Sequence, residues 1–248
     1  MEEDKDRNGG TFHESASDYW FRGHANASWD LRPRIYRADF RDADENELRT
    51  EFKRRGRQLM LEPSVPSSDR EWYFMMQHYK TPTRLLDWTD GALLGLYFAV
   101  STPGRRSDAA VWMLDPKRLN RITLGRVHGE ANYLEGPLLP EWKESDPWFP
   151  VPWDESVLVA EPVAIDPPHV VRRVAVQHSH FTVHGRRRSS LESQLSREAK
   201  ARLVKIIIPR RAVAQVFRDL TACGLTETTV YPDLEGLSRE LCLEWAHR

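Results

Sequence analysis

The sequence predicts an α+β fold, in which helices pack on a mixed, mostly antiparallel sheet. Strand-like and helix-like segments are interspersed without the regular β-α alternation of a doubly wound sheet. The clearest strand is the β-branched run at residues 203–208, which stops at Pro209, and the clearest buried helix is the all-apolar segment 92–100. No internal repeat is visible, so we expect one domain over residues 1–248.

The other elements are predicted from local patterns. An aromatic strand at residues 18–23 ends at Arg22-Gly23, and Asp44 and Asp69 are candidate caps for two helices, the second reaching about His78. The first ten residues are polar and are expected to be frayed. Further strands are expected at 109–114, 157–159, 170–177, 181–184 and 230–231, and further helices at 189–200, 210–222 and 235–245.

Prolines and tryptophans alternate between about residues 124 and 154. A structureless loop of that length is uncommon in a compact domain. We therefore expect an insertion that packs Trp142, Trp148 and Trp153 on the main body. Such an insertion is also a candidate lid.

Composition excludes several classes of protein. Hydrophobic residues make up 40 % and charged residues 29 % of the 248 positions, which is typical of a globular protein. The net charge of −1 argues against a chain that binds polyanions over its whole surface. Two cysteines suit a reducing compartment, and no stretch approaches the roughly 18 apolar residues of a membrane span. We expect a cytoplasmic protein with no membrane partner.

The densest group of polar and aromatic side chains lies in residues 77–89, which we interpret as the floor of a binding or catalytic site. In a strand, the offset of three between Arg84 and Asp87 puts them on opposite faces, so that one points into the site. His78 is suited to act as acid, base or hydrogen-bond donor. The alternative is a buried Arg84–Asp87 network with His78 capping its helix. The candidate residues of this segment are Gln77, His78, Thr83, Arg84, Asp87 and Trp88.

A second candidate group is Phe21-Arg22-Gly23-His24 at the end of the first strand. The planar guanidinium of Arg22 and nearby backbone amides suit phosphate or pyrophosphate. Gly23 would allow another chain segment or a ligand to approach the backbone. The alternative is that Arg22 pairs with a carboxylate at a sheet edge.

Three further segments carry weaker signals. Tyr97 and Phe98 lie at helical spacing and are either core or site residues. Near the histidines of segment 176–184 no acidic ligand completes a metal set, so we expect no metal and regard Gln177 and Thr182 as hydrogen-bonding wall residues. Asp233 is either a helix cap, with Glu235 in the first turn, or one of the two is a catalytic carboxylate.

Together these motifs resemble the FRG domain, which is named for its Phe-Arg-Gly start and is common in bacteria and their mobile elements. The resemblance rests on Phe21-Arg22-Gly23, the segment 77–89 and Leu96-Tyr97-Phe98-Ala99, and it continues through 177–182 to 231–236, nearly the full length. Lys80 stands where the family usually has Gly, and His24 where Gln is common. Lys80 costs little only if the backbone there needs no positive φ.

A more distant resemblance is to ADP-ribosyltransferases, which share an aromatic-Arg-Gly strand and a Tyr-Phe-Ala element. It implies that NAD is a substrate, that Arg22 binds its pyrophosphate or ribose, and that Tyr97 and Trp88 enclose the nicotinamide. It implies a late carboxylate as well, for which Asp233 and Glu235 are the candidates. His78 or Asp87 would then orient the acceptor and take its proton.

The function expected from these resemblances is a toxin or phage-defence effector that transfers ADP-ribose to a macromolecule. Nucleic acid is favoured over protein as the acceptor, because the basic runs 186–188 and 53–55 could follow phosphates. An antitoxin or other regulatory protein is a candidate partner. The alternatives are a metal-independent nuclease using His78, Asp87 and Arg84, and a ligand- or peptide-binding module without chemistry.

Overall fold

The computed structural model describes most of the chain in nine ranges, and of residues 124–128 it describes the backbone. These ranges are 19–40, 45–60, 65–66, 68–102, 106–128, 161–166, 179–185, 187–195 and 203–246. Within them, none of the helices is long and apolar enough to cross a membrane.

The described residues form one antiparallel sheet, which confirms the predicted α+β class. Its strands are β1 (Trp20–His24), β2 (Leu85–Thr89), β3 (Ala109–Leu114), β4 (Val163–Ile165), β5 (Ser179–Val183) and β6 (Leu203–Ile208). They lie side by side in the order β4-β5-β2-β1-β3-β6. The two candidate segments of the sequence, on β1 and β2, therefore lie on the two central strands.

Eight α-helices are described beside the sheet, together with two short 3-10 turns at Arg34–Tyr36 and Ala38–Phe40. The helices are α1 (Glu45–Gly56), α2 (Asp69–His78), α3 (Ala92–Val100), α4 (Pro116–His128), α5 (Leu191–Leu195), α6 (Arg210–Ala222), α7 (Glu227–Val230) and α8 (Leu234–Ala246).

Side chains alternate between two faces of the sheet, and different elements cover each face. Trp20 of β1 belongs to a buried cluster with Trp88 and Trp112. Its neighbour Phe21 points the other way, into a cluster with Tyr97 of α3. We call these the Trp20 face and the Phe21 face. By alternation along β1, Arg22 and His24 lie on the Trp20 face.

The strongest sequence patterns gave correct bounds, and a weaker one did not. β3, β6, α3 and α6 have the bounds that were predicted for them. The predicted strand at 230–231 is wrong, because α7 occupies this region. Thr226 and Thr229 form a reciprocal cap that starts a helix despite the β-branched composition.

Besides α7, the elements β4 and α4 were not predicted. The first turn of α4 is capped by Asp115, whose Oδ1 accepts a hydrogen bond of 2.8 Å from the backbone N–H of Arg118. Because α4 extends to His128, it takes up the first residues of the proposed insertion at 124–154. The remainder of that insertion, and the strands predicted at 157–159 and 170–177, lie outside the described residues.

Helix α2 ends in a left-handed turn at Lys80, whose φ is 61°. The N–H of Thr81 donates to Met76 O at 2.9 Å and that of Lys80 to Gln77 O at 3.0 Å, the hydrogen-bond pattern of a Schellman motif. Lys80 therefore occupies the position where glycine is favoured. The condition under which Lys80 would cost little is not met.

Replacing Lys80 by glycine is expected to raise the free energy of unfolding by roughly 0.5–1 kcal/mol, because glycine has no β-carbon to strain at positive φ. Urea unfolding monitored by circular dichroism measures the change. Lys80→Ala is the matched control, since it removes the charge but keeps the β-carbon and should give no gain. Equal stabilisation by both substitutions would assign the effect to charge instead.

Candidate active site

The two central strands separate at the position of Arg22. β1 is in register with β3 over its whole length, from Trp20 to His24. Between β1 and β2, both described in full, the one register pair is Phe21 with Thr89. Beyond that pair, Arg22 Nη1 donates a 2.6 Å hydrogen bond to the backbone oxygen of Asp87. A guanidinium thus bridges the opening between the strands.

Arg22 is the first member of a polar network that crosses this opening. Its Nη1 lies 3.4 Å from Oδ2 of Asp87, and the other oxygen of that carboxylate accepts a 2.9 Å hydrogen bond from Nε2 of Gln77. The hydroxyl of Thr83 donates to Oε1 of Gln77. The side chain of Asp87 is 52 % exposed and that of Arg22 18 % exposed, so solvent or a ligand can reach this pair.

His24 holds the other side of the Arg22 guanidinium. Its Nε2 lies 3.2 Å from Arg22 Nε, and its Nδ1 lies 3.3 Å from Nε1 of Trp112. A neutral imidazole has one acceptor nitrogen, so it accepts from one of these two donors at a time. Burial and the adjacent Arg22 charge lower the pKa of His24 to about 3. His24 is therefore uncharged at neutral pH, so it can accept a hydrogen bond from Arg22 without electrostatic repulsion.

A second buried histidine, which was not among the candidate site residues, lies on the same face. His184 is fully buried, and its Nε2 lies 3.2 Å from the hydroxyl of Thr182. Among the described residues its Nδ1 has no hydrogen-bond partner. Burial and the charges of Arg22 and Arg84 lower the pKa of His184 to about 3.

Arg84 does not line the opening, which corrects its assignment to a cofactor site. Its Nε donates a 2.5 Å hydrogen bond to Glu45, and Glu45 also accepts from the hydroxyl of Tyr73. Burial alone lowers the pKa of Arg84, but Glu45 and neighbouring groups raise it above the ordinary value. Arg84 is thus a buried structural cation that fixes β2 to α1 and α2. The alternative interpretation was right that Arg84 lies in a buried network, but its partner is Glu45 and not Asp87.

Trp88 and Tyr97 cannot enclose one ligand ring, which corrects their assigned pairing. Trp88 is buried on the Trp20 face, where its Nε1 donates to Thr182 at 3.1 Å. Tyr97 is buried on the Phe21 face, where its hydroxyl donates to Glu227 at 2.7 Å. The sheet itself separates the two rings. Phe98 packs partly buried beside Tyr97 in the same cluster.

Gly23 is in contact with helix α3 and not with an open cleft. A β-carbon at this position would lie 2.3 Å from the backbone oxygen of Gly95 and 2.4 Å from the backbone nitrogen of Ala99. Phe21, beside it, is buried in the same interface. Of the two partners proposed for Gly23, the structure shows a chain segment, so its place in the cofactor site is corrected.

The two late carboxylates have structural partners. Oδ1 of Asp233 accepts a 2.8 Å hydrogen bond from Gly236 N–H at the start of α8. Glu235 pairs with Arg239, one turn further along, at 2.7 Å. No described contact joins either residue to Arg22 or Asp87. These contacts match the alternative, in which Asp233 caps the helix and Glu235 lies in its first turn. A catalytic role for either carboxylate stays a prediction.

Two remaining candidates have less defined surroundings. His78 is partly exposed at the end of α2 and its ring meets that of Tyr79 edge to face at 4.9 Å. Gln177 lies outside the described residues. Thr182 is fully buried and contacts Trp88 and His184, so it supports these two side chains and does not itself line the site.

Comparison with known proteins finds a family match over part of the chain. Residues 17–108 match the family model of the FRG domain. The match covers Arg22, Gln77 and Asp87, but it stops well short of the nearly full-length resemblance that was expected. No curated protein and no solved structure matched the chain. The two segments that meet at the opening between β1 and β2 both belong to the FRG match.

Proposed function

We propose that this protein is an NAD-dependent ADP-ribosyltransferase-like effector with its reaction centre at Arg22 and Asp87. The observation that carries the proposal is the half-exposed Asp87 carboxylate 3.4 Å from the guanidinium of Arg22, in the opening between two central strands. NAD carries a pyrophosphate and, at the ribose, a bond whose cleavage develops positive charge. At the opening, Arg22 suits the pyrophosphate and Asp87 suits the developing positive charge.

Arg22 suits the anionic part of NAD because its planar fork can form two parallel hydrogen bonds to phosphate oxygens. Its Nη1 now donates to Asp87 O, and His24 lies against its Nε. These contacts hold the guanidinium at the opening before a ligand arrives. A side chain fixed in this way loses little conformational freedom on binding.

Asp87 suits the reacting centre. As the bond between nicotinamide and ribose breaks, its electron pair leaves on nicotinamide and the ribose carbon becomes oxocarbenium-like, which a carboxylate stabilises. The acceptor's oxygen or nitrogen then bonds to that carbon, and its proton passes to Asp87. Gln77 fixes the carboxylate through the 2.9 Å bond to Oδ1, leaving Oδ2 toward Arg22.

The setting we propose follows from the FRG match over residues 17–108. Because FRG domains are common on bacterial mobile elements, a cytoplasmic toxin or phage-defence role with a macromolecular acceptor is the favoured one. Such an enzyme needs restraint in its own host, so a regulatory protein such as an antitoxin belongs to the same proposal.

Release of nicotinamide from NAD tests the proposal directly. We expect the purified chain to release nicotinamide, and Asp87→Asn to lower the rate by at least about 100-fold, because a neutral amide cannot stabilise the developing charge. Arg22→Lys should weaken NAD binding by about tenfold or more, since an ammonium cannot form the bidentate contact. Chromatography with mass detection measures the rate, and thermal shift measures the binding.

Two matched controls separate chemistry from charge. Asp39→Asn removes another exposed carboxylate and Arg211→Lys alters another exposed arginine, and neither should change the rate. Stability of Asp87→Asn should stay within about 1 kcal/mol of the parent, because a half-exposed pair contributes little. No nicotinamide release by the parent, or an undiminished rate in Asp87→Asn, would refute the proposal. Cleavage of RNA without NAD would favour the nuclease alternative.

A further inference from the structure

A group of exposed cations surrounds the turn between Pro33 and Phe40. Nη1 of Arg34 donates to the backbone oxygen of Lys80, which places these two residues side by side. The guanidinium of Arg188 lies 5.7 Å over the ring of Tyr36. Arg37, in the same turn, donates to Arg32 O at 3.2 Å. We call Arg34, Arg37, Lys80 and Arg188 the basic rim.

Three of these charges are not neutralised within the described part of the chain. No described carboxylate lies at ion-pair distance from Arg34, Arg37 or Lys80. The nearest acidic residue in the sequence of the turn is Asp39, which is exposed. Among the described residues, the basic rim thus carries three cations without a carboxylate partner.

The basic run at 53–55, which the sequence suggested for the same purpose, is different. Arg54 and Arg55 pair with one carboxylate, that of Glu51, at 2.5 and 2.6 Å. Lys53 pairs with Asp69. Each of these cations has a carboxylate partner on α1 or α2, so the run offers a polyanion less than the rim does.

The turn of the basic rim lies beside the chain segment that carries the candidate active site. The pKa of Arg22 is lowered, first by burial and also by the charge of Arg37, which therefore lies within electrostatic range of the opening. Ile35 in the turn donates to the backbone oxygen of Thr83 at 3.3 Å, which fixes the turn beside the segment that carries Asp87. An extended ligand on the rim would thus reach the reaction centre.

Two large aromatic rings are exposed along the same path. Trp29 is 51 % exposed, and its ring meets His24, the neighbour of Arg22, at 6.1 Å. Tyr79 is 65 % exposed and directly precedes Lys80. Rings interleaved with cations are the surface that unpaired bases and their phosphates recognise, since bases stack on rings and phosphates pair with cations.

We propose that the basic rim binds single-stranded nucleic acid, with phosphates on Arg34, Arg37 and Lys80 and bases stacked on Trp29 and Tyr79. A duplex would bury its base faces in its own stack, so the exposed rings favour a single strand. The inference deepens the proposed function, on which it rests for the acceptor's role, because the strand would deliver a nucleotide to Arg22 and Asp87.

Fluorescence anisotropy with a labelled 12-nucleotide strand, in the absence of NAD, tests the inference. The triple variant Arg34→Ala/Arg37→Ala/Lys80→Gly should lose at least about tenfold in affinity at low salt, and the slope of log K against log salt should shrink by about 2, at about 0.7 per phosphate contact. Trp29→Ala/Tyr79→Ala should lose about tenfold or more with the slope unchanged, because stacking releases no counterions.

The matched control removes the same charge elsewhere, in the triple variant Arg54→Ala/Arg55→Ala/Arg211→Ala, and should bind like the parent. Equal losses of affinity in both triple variants would overturn the inference. A duplex or polyglutamate that competes with the labelled strand as well as an unlabelled single strand does would overturn it too. RNA and DNA strands are tested side by side, and binding of either one supports it. Strand binding without nicotinamide release would refute only the proposed ADP-ribosyl transfer. Nicotinamide release without strand binding would refute only the proposed role of the basic rim.

Discussion

Replacing Gly23 by alanine is expected to lower the free energy of unfolding by about 3 kcal/mol, at the upper end for added volume in a packed interface. The added β-carbon would lie 2.3 Å from Gly95 O and 2.4 Å from Ala99 N, both of them backbone atoms. A flexible side chain could turn away, but a helix backbone must shift as a unit. Urea unfolding measures the change.

The nature of the contacted atoms gives this prediction two sharp controls. Ala99→Gly should not rescue Gly23→Ala, because the contact is with the backbone nitrogen, which every residue has. Gly91→Ala, whose β-carbon would lie 3.2 Å from the side chain of Leu94, should cost less than about 1 kcal/mol. A stable Gly23→Ala variant that no longer binds NAD would show that the glycine makes room for a ligand and not for α3.

The fold was predictable where a strong local pattern agreed with burial. The β-branched run of β6 and the apolar run of α3 have unmistakable composition, and both have the predicted bounds. The start of α4 was not predicted, although the sequence carries a signal for it. Asp115-Pro116 follows the strand predicted at 109–114 directly, and Asp at the cap and Pro in the first turn are also typical of a helix start. The pair Asp115-Pro116 thus ends β3 and also starts α4.

The site was predictable only in its outline. Arg22 and the segment with Gln77 and Asp87 were expected to meet, and they do. Which polar residues of that segment face the opening was not predictable, because it depends on partners distant in sequence. Glu45, 39 positions away in the sequence, pairs with Arg84 and so holds it in the core.

The aromatic candidates illustrate the same limit. A tyrosine or tryptophan suits a core as well as a ligand site, and sequence spacing does not fix which face of a sheet it reaches. The hydroxyl of Tyr97 bonds Glu227, 130 positions away. Neither Glu227 nor His184 stands in a recognisable motif, and both are defined only by what packs around them.

Acidification from pH 7.5 to pH 5 is expected to cost about 4 kcal/mol of stability through His24 and His184 alone. In the unfolded chain each titrates near 6.5, whereas burial and nearby arginines lower the folded pKa to about 3. Between those values the unfolded state binds a proton that the folded state does not, so stability falls as pH falls. The loss begins near pH 6.5 and amounts to about 2 kcal/mol per histidine at pH 5.

Urea unfolding at both pH values, repeated in His184→Gln, measures this dependence. The variant should lose about half of the difference between pH 7.5 and pH 5, whatever its stability at pH 7.5, because one of the two imidazoles is gone. Thr182→Val removes the hydroxyl 3.2 Å from His184 Nε2 but keeps both imidazoles, so it should be weaker at each pH with the dependence unchanged. An unaltered dependence in His184→Gln would mean that this histidine charges within the fold, which a site built around Arg22 and Arg84 could not easily accommodate.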